Sequence, residues 1–299
     1  MKYKLRDSKW LDIEINSLFV KTIQEFFDNY IPSRKIQHLL IQNKNILLDG
    51  NAVKREDDIV GLTLSINIYP NTHDYKILKN KIDVVYEDEI ILVVNKPKDL
   101  LVHSDGTQEL CLTDMVESYY INTNYVDVQP IHRLDKETSG LVIYSKTSVF
   151  QPLLDKLLFE KQIRRNYMAF VKGVVESDTT FVINKAIGND RHNSNKKIIY
   201  KNGQKAITKV RSLACNHKLN YSVLLCSLDT GRTHQIRLHL SNEGYPILND
   251  DLYGVKSKLC SRMGLCASNI EMYHPLKEDN IEIDVNLPKD LDKIYMEAI

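Results

Sequence analysis

The stretch Ile131-His-Arg-Leu-Asp-Lys-Glu-Thr-Ser-Gly140 runs directly into the apolar segment Leu141-Val-Ile-Tyr144. Polar side chains of nearly every catalytic type thereby stand at the edge of an expected strand, where a rigid scaffold presents reactive groups. Taken alone, a His-Arg-x-Asp cluster is more typical of a solvated turn with a local ion pair. Two further stretches, Arg165-Asn-Tyr-Met-Ala-Phe-Val-Lys-Gly173 and Thr230-Gly-Arg-Thr-His-Gln-Ile-Arg-Leu-His239, favour the catalytic interpretation.

Around these stretches, short strand-like runs dominate the chain from residue 80 onward. They lie at residues 82–86, 90–94, 140–144, 167–171, 221–228 and 281–285. Helical spacing is confined to a few segments, chiefly residues 112–120, 149–159 and 233–242. Strands and helices do not alternate as βαβ units, so the pattern predicts an α+β fold with a large mixed, mostly antiparallel sheet.

The first 70 residues have a different pattern and predict a small α/β module. Apolar spacing indicates helices over residues 23–30 and 33–42, and Asn45-Ile-Leu-Leu-Asp-Gly-Asn-Ala-Val53 is typical of a hairpin with an Asp-Gly turn. Residues 62–68 alternate as a closing strand, and periodicity is then lost. We therefore expect a first domain over residues 1–70, a linker over residues 71–80 and a second domain over residues 81–299.

Composition narrows the class of protein. Hydrophobic residues make up 43% of the 299 residues and charged residues 26%, which is typical of a globular chain. No apolar run approaches the ~18 residues of a membrane span, and the charged N-terminus is unlike a signal peptide. Five scattered cysteines without a C-x-x-C pair predict neither a disulfide framework nor a zinc site, so we expect a reducing cytoplasm.

Net charge gives no sign of a polyanionic partner, and the distribution of the arginines is more informative. The formal net charge is +1, and residues 1–75 carry 10 basic against 10 acidic side chains. Lysine outnumbers arginine 29 to 11, yet five of the 11 arginines fall in three short stretches, in or directly before the motifs, namely Arg133, Arg164, Arg165, Arg232 and Arg237. Arginine supplies a planar bidentate fork that lysine lacks, so the motifs are expected to need that geometry.

Taken together, the motifs resemble the RluA-type family of pseudouridine synthases, which isomerise uridine in ribosomal and transfer RNA. The resemblance covers about residues 81–290 and includes Val93-Val-Asn-Lys-Pro97, Gly203-Gln-Lys-Ala-Ile-Thr208 and Pro246-Ile-Leu-Asn-Asp-Asp-Leu-Tyr-Gly254. The N-terminal helices and hairpin are similar to the RNA-binding fold of ribosomal protein S4, although the Arg-Leu-Asp opening of its first helix is missing. The alternative for this module is a domain that only packs on its neighbour.

The resemblance implies roles for individual residues. Asp135 is implied as the catalytic carboxylate, Arg237 as its partner in preference to Arg232, and Tyr167 as the tyrosine that stacks on the target base. Arg133 is implied to fill the space of the flipped base or to hold a flanking phosphate. The other expected RNA-contacting residues are His132, Arg232, Arg34 and Lys35.

The resemblance also implies an RNA partner, a monomer, and no cofactor or metal, because the rearrangement involves neither redox chemistry nor hydrolysis. The alternative function is a catalytically inactive RNA-binding factor of ribosome assembly. The presence of Asp135, Tyr167 and Arg237 together argues against that loss. A metal-dependent hydrolase is a weaker alternative, since the sequence has no evident cluster of metal ligands.

Overall fold

The computed structural model describes residues 2–15, 20–58, 61–107, 109–123 and 126–299. Its N-terminal part is a five-stranded sheet of order β1-β2-β5-β3-β4 with antiparallel neighbours and two helices. The strands are β1 (Lys2–Arg6), β2 (Trp10–Glu14), β3 (Ile46–Leu48), β4 (Asn51–Ala52) and β5 (Thr63–Asn67), and the helices are α1 (Ile23–Tyr30) and α2 (Arg34–Gln42). Apolar side chains of α1, including Phe26 and Phe27, are buried in one cluster with Leu11 and Ile13 of β2.

Both N-terminal helices and the hairpin are confirmed. Asp49 and Gly50 link β3 to β4 with φ values of 45° and 83°, the left-handed conformation that a two-residue hairpin turn of this type requires. The β1–β2 hairpin ahead of the helices was not expected. Charged side chains occupy about half of its strand positions, which leaves fewer apolar positions than a strand signal needs; they are Lys2, Lys4, Arg6, Asp12 and Glu14.

The segment expected to be a linker, residues 71–80, contains neither helix nor strand. It is nevertheless fastened to the rest of the chain, because the Tyr75 hydroxyl donates to the carbonyl of Val126 at 2.6 Å. Just before it, the Tyr69 hydroxyl donates to the carbonyl of Glu89 at 2.9 Å. The N-terminal sheet is therefore held against the second sheet, while the division into two domains stays a prediction.

The rest of the chain builds a ten-stranded sheet along the path β11-β14-β15-β10-β16-β9-β7-β6, with β17 beside β16 and β8 beside β9. Two further strands, β12 and β13, pair with each other. The strands are β6 (Val84–Glu87), β7 (Ile91–Lys96), β8 (Gln129–Pro130), β9 (Ser139–Ser145), β10 (Ile163–Lys172), β11 (Thr180–Asn184), β12 (Ile187–Asn189), β13 (Lys197–Ile199), β14 (Ile207–Asn216), β15 (Tyr221–Leu228), β16 (Leu265–His274) and β17 (Asp279–Asp284). The helices are α3 (Leu112–Tyr119), α4 (Gln151–Phe159), α5 (Gln235–Asn242) and α6 (Lys289–Met296), with a short 3₁₀ turn at Ile121–Thr123.

These elements confirm the expected α+β fold with a mixed, mostly antiparallel sheet. β15 spans the residues 221–228 that the sequence predicts, whereas β8, β11 to β14, β16 and α6 were not expected. In the ranges that the structure describes, no helix is long and apolar enough to cross a bilayer.

Gly140 of the first motif sits where two strands approach unusually closely. β9 and β16 run parallel there, with Ser139 opposite Cys266 and Gly140 opposite Ala267. The φ of Gly140 is +115°, and a Cβ at this position would lie 2.1 Å from the Ala267 carbonyl oxygen. Only glycine fits such an approach, so this residue fixes where the loop of the first motif enters the centre of the sheet.

Candidate active site

The three motif stretches line one cavity of about 580 Å³. The loop before β9, strand β10 and the loop that leads into α5 each contribute to its wall. Six of the expected site residues are part of this lining: His132, Arg133, Asp135, Tyr167, Arg232 and Arg237. Arg34 and Lys35 lie on helix α2 of the N-terminal part and do not line this cavity.

Arg237 is the centre of the ionic contacts in this cavity. Its helix, α5, is buried along most of its length, which leaves only 1% of the Arg237 residue exposed. The guanidinium Nη1 donates to Asp135 Oδ2 at 3.1 Å and to Glu137 Oε2 at 3.4 Å. Its Nε and Nη2 form a bidentate pair with Asp250, both at 2.8 Å. One arginine thus joins three carboxylates, and the expected pairing with Asp135 is present in the geometry.

Asp250 is the partner that the sequence did not predict. Its side chain is fully buried, and Oδ1 also accepts the backbone N–H groups of Leu252 and Tyr253 at 2.9 and 3.2 Å. Burial alone would raise the pKa of Asp250, but the hydrogen bonds and charge of Arg237 hold that pKa below its usual range. The same contacts keep the pKa of Arg237 above its ordinary value despite its burial. Asp250 is therefore a fixed anion that orients the guanidinium toward Asp135.

The Asp135 carboxylate differs from Asp250 because it reaches the cavity. Its side chain is 22% exposed, whereas that of Asp250 is 0% exposed. Among the side chains of the described residues, only Arg237 hydrogen-bonds or ion-pairs with Asp135. The second Asp135 oxygen therefore remains available to a bound molecule.

Tyr167 lies on β10 between two neighbouring strands. Only 4% of it is exposed, and the pairing of β10 with β16 shifts register between Asn166 and Tyr167. Such bulges re-aim side chains next to active sites. Burial raises the pKa of Tyr167 although the charge of Arg165 opposes the shift, so its hydroxyl stays protonated at neutral pH. No side chain or backbone group within the described ranges hydrogen-bonds that hydroxyl, and Tyr167 is one of the residues that line the cavity.

His132 is held in its neutral form. The backbone N–H of Ile143 donates to its Nε2 at 3.2 Å, which requires the proton on Nδ1. Burial, with the Arg165 guanidinium nearby, lowers the pKa of His132 to about 3. Its buried Nδ1 has no hydrogen-bond partner among the described residues. His132 is thus a neutral donor at the cavity wall and does not act as a cation at physiological pH.

Two exposed arginines lie at the mouth of the cavity. Arg133 donates to the Thr233 hydroxyl at 3.2 Å, and Arg232 donates to the Lys205 carbonyl at 3.2 Å. Neither forms an ion pair with a described carboxylate. Their charges are consequently free to meet an anionic ligand, as phosphate-binding arginines do.

Lys96, in the Lys-Pro motif, is a buried lysine whose role the sequence does not indicate. It is 0% exposed, and its Nζ donates to the carbonyls of Pro97, Leu100 and Lys136 at 3.0, 2.7 and 3.0 Å. Burial lowers its pKa to about 8, although nearby Asp135 opposes that shift. Because Lys136 follows Asp135 directly, Lys96 holds the backbone of the loop that contains Asp135.

Comparisons with known proteins agree with this geometry. The model of the RNA pseudouridylate synthase family matches residues 90–242. The chain is 34% identical over 213 residues to the uncharacterized RNA pseudouridine synthase YhcT of Bacillus subtilis, covering 71% of this chain and 70% of that protein. It is 33% identical over 264 residues to ribosomal large subunit pseudouridine synthase D of Neisseria meningitidis serogroup B, covering 82% of this chain and 69% of the relative.

A solved structure shows the same fold. Human RNA pseudouridylate synthase domain containing 1 superposes with a TM-score of 0.58 at 24% identity, over 71% of this chain and 87% of the human one. The segment that matches the family model contains the expected site residues of all three motifs, from His132 to Arg237. The chain therefore belongs to the RNA pseudouridylate synthase family, as an RluA-type isomerase that converts uridine to pseudouridine in RNA.

Proposed function

We propose that this enzyme isomerises a uridine of large-subunit ribosomal RNA and that Asp135 is its catalytic carboxylate. The choice of RNA is supported by relatives named ribosomal large subunit pseudouridine synthase D in Neisseria meningitidis, Xylella fastidiosa and Buchnera aphidicola. Transfer RNA is the competing substrate. The main support for the catalytic role of Asp135 is that Arg237 hydrogen-bonds only one of its carboxylate oxygens. The Asp135 side chain is 22% exposed, so its other oxygen can reach a bound substrate.

The chemistry sets what the site must do. The N1–C1′ bond of uridine breaks, the base turns, and a C5–C1′ bond forms. The proton on C5 is lost and N1 gains one, so the product is an isomer of the substrate. A carboxylate that acts as a nucleophile can divide such a reaction into two easier steps. Asp135 fits this task better than Asp250, whose oxygens are both engaged by buried donors.

Tyr167 and Arg133 are assigned to the base and to its removal from the RNA stack. The ring of Tyr167 borders the cavity beside Asp135 and offers a protonated hydroxyl and an apolar face to the uracil. Extruding a base costs a few kcal/mol. Arg133 stands at the mouth with a free charge, where it can hold the flanking phosphate or occupy the vacated position. His132 and Arg232 complete the proposed RNA contacts.

The N-terminal module is proposed to bind RNA outside the cavity in the manner of S4-like domains. Arg34 and Lys35 support this role because both are exposed at the start of α2. Arg34 is 70% exposed and lies 3.8 Å from Glu56, which is a loose pair, and no ion pair engages Lys35 within the described ranges.

The test of the catalytic role is Asp135→Asn, which keeps the shape of the side chain and removes the nucleophile. Tritium release from RNA that carries 5-tritiated uridine measures the reaction, since C5 loses its hydrogen. We expect Asp135→Asn to release no tritium above background while its RNA affinity stays within threefold of wild type. The matched control is Glu137→Gln, the neighbouring carboxylate that meets Arg237 at 3.4 Å, for which we expect less than a tenfold loss. Turnover by purified Asp135→Asn protein would contradict the assignment.

The choice of RNA is tested separately. Unmodified large-subunit ribosomal RNA and unmodified bulk transfer RNA are offered to the wild-type enzyme, and pseudouridines are mapped in each. Modification of ribosomal RNA at a defined uridine is the expected result. Modification confined to transfer RNA would overturn the substrate and leave the catalytic role of Asp135 standing.

A further inference from the structure

A cluster of metal-ligand side chains lies outside the cavity. It contains Glu176 in the segment after β10, Cys215 near the end of β14, and His217 in the turn between β14 and β15. Among the described residues, it is the one group of three or more His, Cys, Asp or Glu side chains whose donor atoms lie within 4.8 Å of one another. None of its members lines the catalytic cavity. The cluster is therefore independent of the uridine chemistry.

The three side chains lie close enough for one tetrahedral ion, with one donor atom of each within 4.8 Å of the other two and the Glu176 carboxylate facing the two partners through different oxygens. His217 Nε2 lies 3.4 Å from Glu176 Oε1, and Cys215 Sγ lies 3.8 Å from His217 Nε2 and 3.9 Å from Glu176 Oε2. Zinc bonds of about 2.0–2.3 Å at tetrahedral angles separate such donors by about 3.3–3.6 Å. Closing the difference takes a few tenths of an ångström, which exposed side chains accommodate by small rotations.

The backbone that carries the three ligands is already fixed. The N–H of Val175 donates to the Ser222 hydroxyl, and the Ser212 hydroxyl donates to the carbonyl of Val175, both at 2.8 Å. Cys215 pairs in register with Ser222 across β14 and β15. Binding an ion consequently requires ordering of side chains only, which lowers the entropic cost of binding.

We propose that Glu176, Cys215 and His217 bind one Zn²⁺ ion, with a water molecule in the fourth position. Thiolate, imidazole and carboxylate are the ligand types that zinc takes in proteins. Cys215 is suited to this because it is partly exposed, while the other four cysteines are buried. The ion fastens the segment after β10 to the β14–β15 turn. No local motif pointed to a metal site, because 39 residues separate Glu176 from Cys215.

Cobalt titration tests the site through its sulfur ligand. Reduced full-length protein is titrated with Co²⁺, and the thiolate-to-cobalt charge-transfer absorption is followed in the near ultraviolet. We expect saturation at one Co²⁺ per chain, displacement of the band by Zn²⁺, and a rise in Tm of roughly 3–6 °C at a hundredfold excess of Zn²⁺ over its Kd. Cys215→Ser should abolish the band, and His217→Ala should weaken binding at least tenfold.

His192→Ala is the matched control, since His192 is an exposed histidine outside the cluster. Its titration should superpose on that of the wild type. The proposal is overturned if no charge-transfer band develops, if the band survives Cys215→Ser, or if His192→Ala weakens binding as much as His217→Ala. Oxidation of Cys215 in place of metal binding would also overturn it.

A second inference concerns the rim of the cavity and deepens the proposed RNA binding, on which it rests. Phe159, the last residue of α4, lines the cavity and is 88% exposed. No described side chain stacks on its ring. Its neighbours on the opposite face, Leu154 and Leu157, are buried and hold the helix against the sheet.

The position of Phe159 is fixed although its ring is unpacked. Helix α4 ends with Lys161 in the left-handed conformation at φ 63°. The N–H of Lys161 donates to the carbonyl of Leu158 at 3.2 Å, and that of Gln162 donates to the carbonyl of Leu157 at 2.9 Å, which is the Schellman pattern of helix termination. An aromatic ring is thus presented to solvent on a rigid helix end at the wall of the catalytic cavity.

We infer that Phe159 stacks on an unpaired RNA base next to the uridine that enters the cavity. Flipping the uridine unstacks its neighbours, and exposed aromatic side chains are the usual platforms for unpaired bases. Arg133 and Arg232 at the same cavity supply charge for the backbone of that strand. The inferred ligand is accordingly a single-stranded or loop segment of RNA.

The test uses an eight-nucleotide oligouridylate as the single-stranded probe and an RNA duplex of equal length for comparison. Phe159→Ala should weaken oligouridylate binding about tenfold, and Phe159→Trp should restore it. When Phe159→Trp is combined with Trp10→Phe, the introduced indole is the only one in the chain, so oligouridylate should quench the tryptophan fluorescence of that double variant.

Tyr273→Ala is the matched control, because Tyr273 is an exposed aromatic residue of β16 that does not line the cavity. The inference is overturned if Phe159→Ala binds oligouridylate within twofold of wild type, if Tyr273→Ala weakens binding equally, or if the duplex is affected as strongly as the single strand. Repeating the binding measurements in Asp135→Asn protein separates this result from the proposed function. Loss of the stacking effect there would count against Phe159, whereas residual turnover by Asp135→Asn would count only against the catalytic assignment.

Discussion

Arg237 in the cavity and Arg34 in the N-terminal module are arginines in opposite environments. Arg237 is 1% exposed and is fixed by Asp250 at 2.8 Å and Asp135 at 3.1 Å. Arg34 is 70% exposed and has only Glu56 at 3.8 Å and neutral amide partners. A buried charge is costly unless every donor is matched, whereas an exposed ion pair contributes little. Arg237 is therefore held rigidly by its carboxylates, whereas the guanidinium of Arg34 is held by no close ion pair among the described residues.

The largest effect is expected from removing the buried anion. Asp250→Ala leaves the Arg237 guanidinium in a buried site without its bidentate partner, so we expect the free energy of unfolding to fall by about 3–5 kcal/mol. Turnover should fall by about 100-fold or more, because the guanidinium is no longer oriented toward Asp135. Denaturant unfolding and tritium release measure the two effects. The control is Asp251→Asn, an exposed neighbour whose change should stay within about 0.5 kcal/mol.

Replacing the planar guanidinium of Arg237 by the ammonium group of lysine, which keeps the charge, should have the next largest effect. Arg237→Lys cannot contact Asp135 and Asp250 together through a planar group. We expect single-turnover rates about 30-fold lower, which corresponds to the loss of one charge-assisted hydrogen bond, with RNA affinity within threefold. Arg211→Lys, in an exposed pair with Asp178, serves as the control and should change neither quantity measurably. A loss confined to affinity would assign Arg237 to RNA binding.

A smaller, pH-dependent effect is expected from His132. An unfolded histidine takes up its proton near pH 6.5, whereas the pKa of His132 in the folded protein is about 3. Between these values the unfolded state binds more protons, so the free energy of unfolding falls as the pH falls. The contribution of His132 should amount to about 1–2 kcal/mol between pH 7.5 and pH 5.

The measurement compares denaturant unfolding of wild-type and His132→Gln protein at both pH values. Glutamine keeps an acceptor for the N–H of Ile143 but does not titrate, so the variant should lose that part of the pH dependence. His192→Gln, at an exposed position, should retain it. An equal pH dependence in wild type and His132→Gln would mean that His132 protonates in the folded protein as it does in the unfolded chain.

The smallest effect is expected in the N-terminal module. Changing Arg34 and Lys35 together to glutamine should weaken binding to long RNA a few-fold and lower the salt dependence of binding by about one to two counterions. The free energy of unfolding should change by less than about 0.5 kcal/mol. Changing Lys256 and Lys258 to glutamine removes the same charge elsewhere and is the control. Equal losses of affinity in the two double variants would show a general charge effect and no RNA-binding role for α2.

Both regions contain elements that the sequence predicts and elements that it misses. Periodicity located α1 at residues 23–30 and β15 at residues 221–228, because each has a strong pattern of apolar positions. It missed β1 and β2, where charged residues interrupt the pattern and the strands are stabilised by pairing with β5. A pattern of apolar residues indicates which side chains of a segment are buried. It does not predict a strand that is stabilised mainly by pairing with neighbouring strands.

The site was predictable where residues belong to motifs and unpredictable where they depend on tertiary contacts. Asp135, Tyr167 and Arg237 were expected from their motifs and do line one cavity. The bidentate contact between Asp250 and Arg237 was missed, because helical spacing does not bring two residues 13 positions apart into contact. Lys96 was missed for the same reason, since its acceptors include the carbonyl of Lys136, 40 residues further along.

The parallel contact between β9 and β16 at Gly140 has a consequence for protein synthesis. Chains emerge from the ribosome with the N-terminus first, so the five-stranded sheet, which ends at Asn67, is complete long before β16 is made. The loop that carries Asp135 cannot form its ion pair until Arg237, 102 residues later, has been synthesised. Arg237 in turn needs Asp250, and Gly140 needs Ala267 of β16. A nascent chain halted before residue 250 therefore lacks both the bidentate partner of Arg237 and the strand that packs against Gly140. The cavity around Asp135 is complete only when translation of the chain is nearly finished.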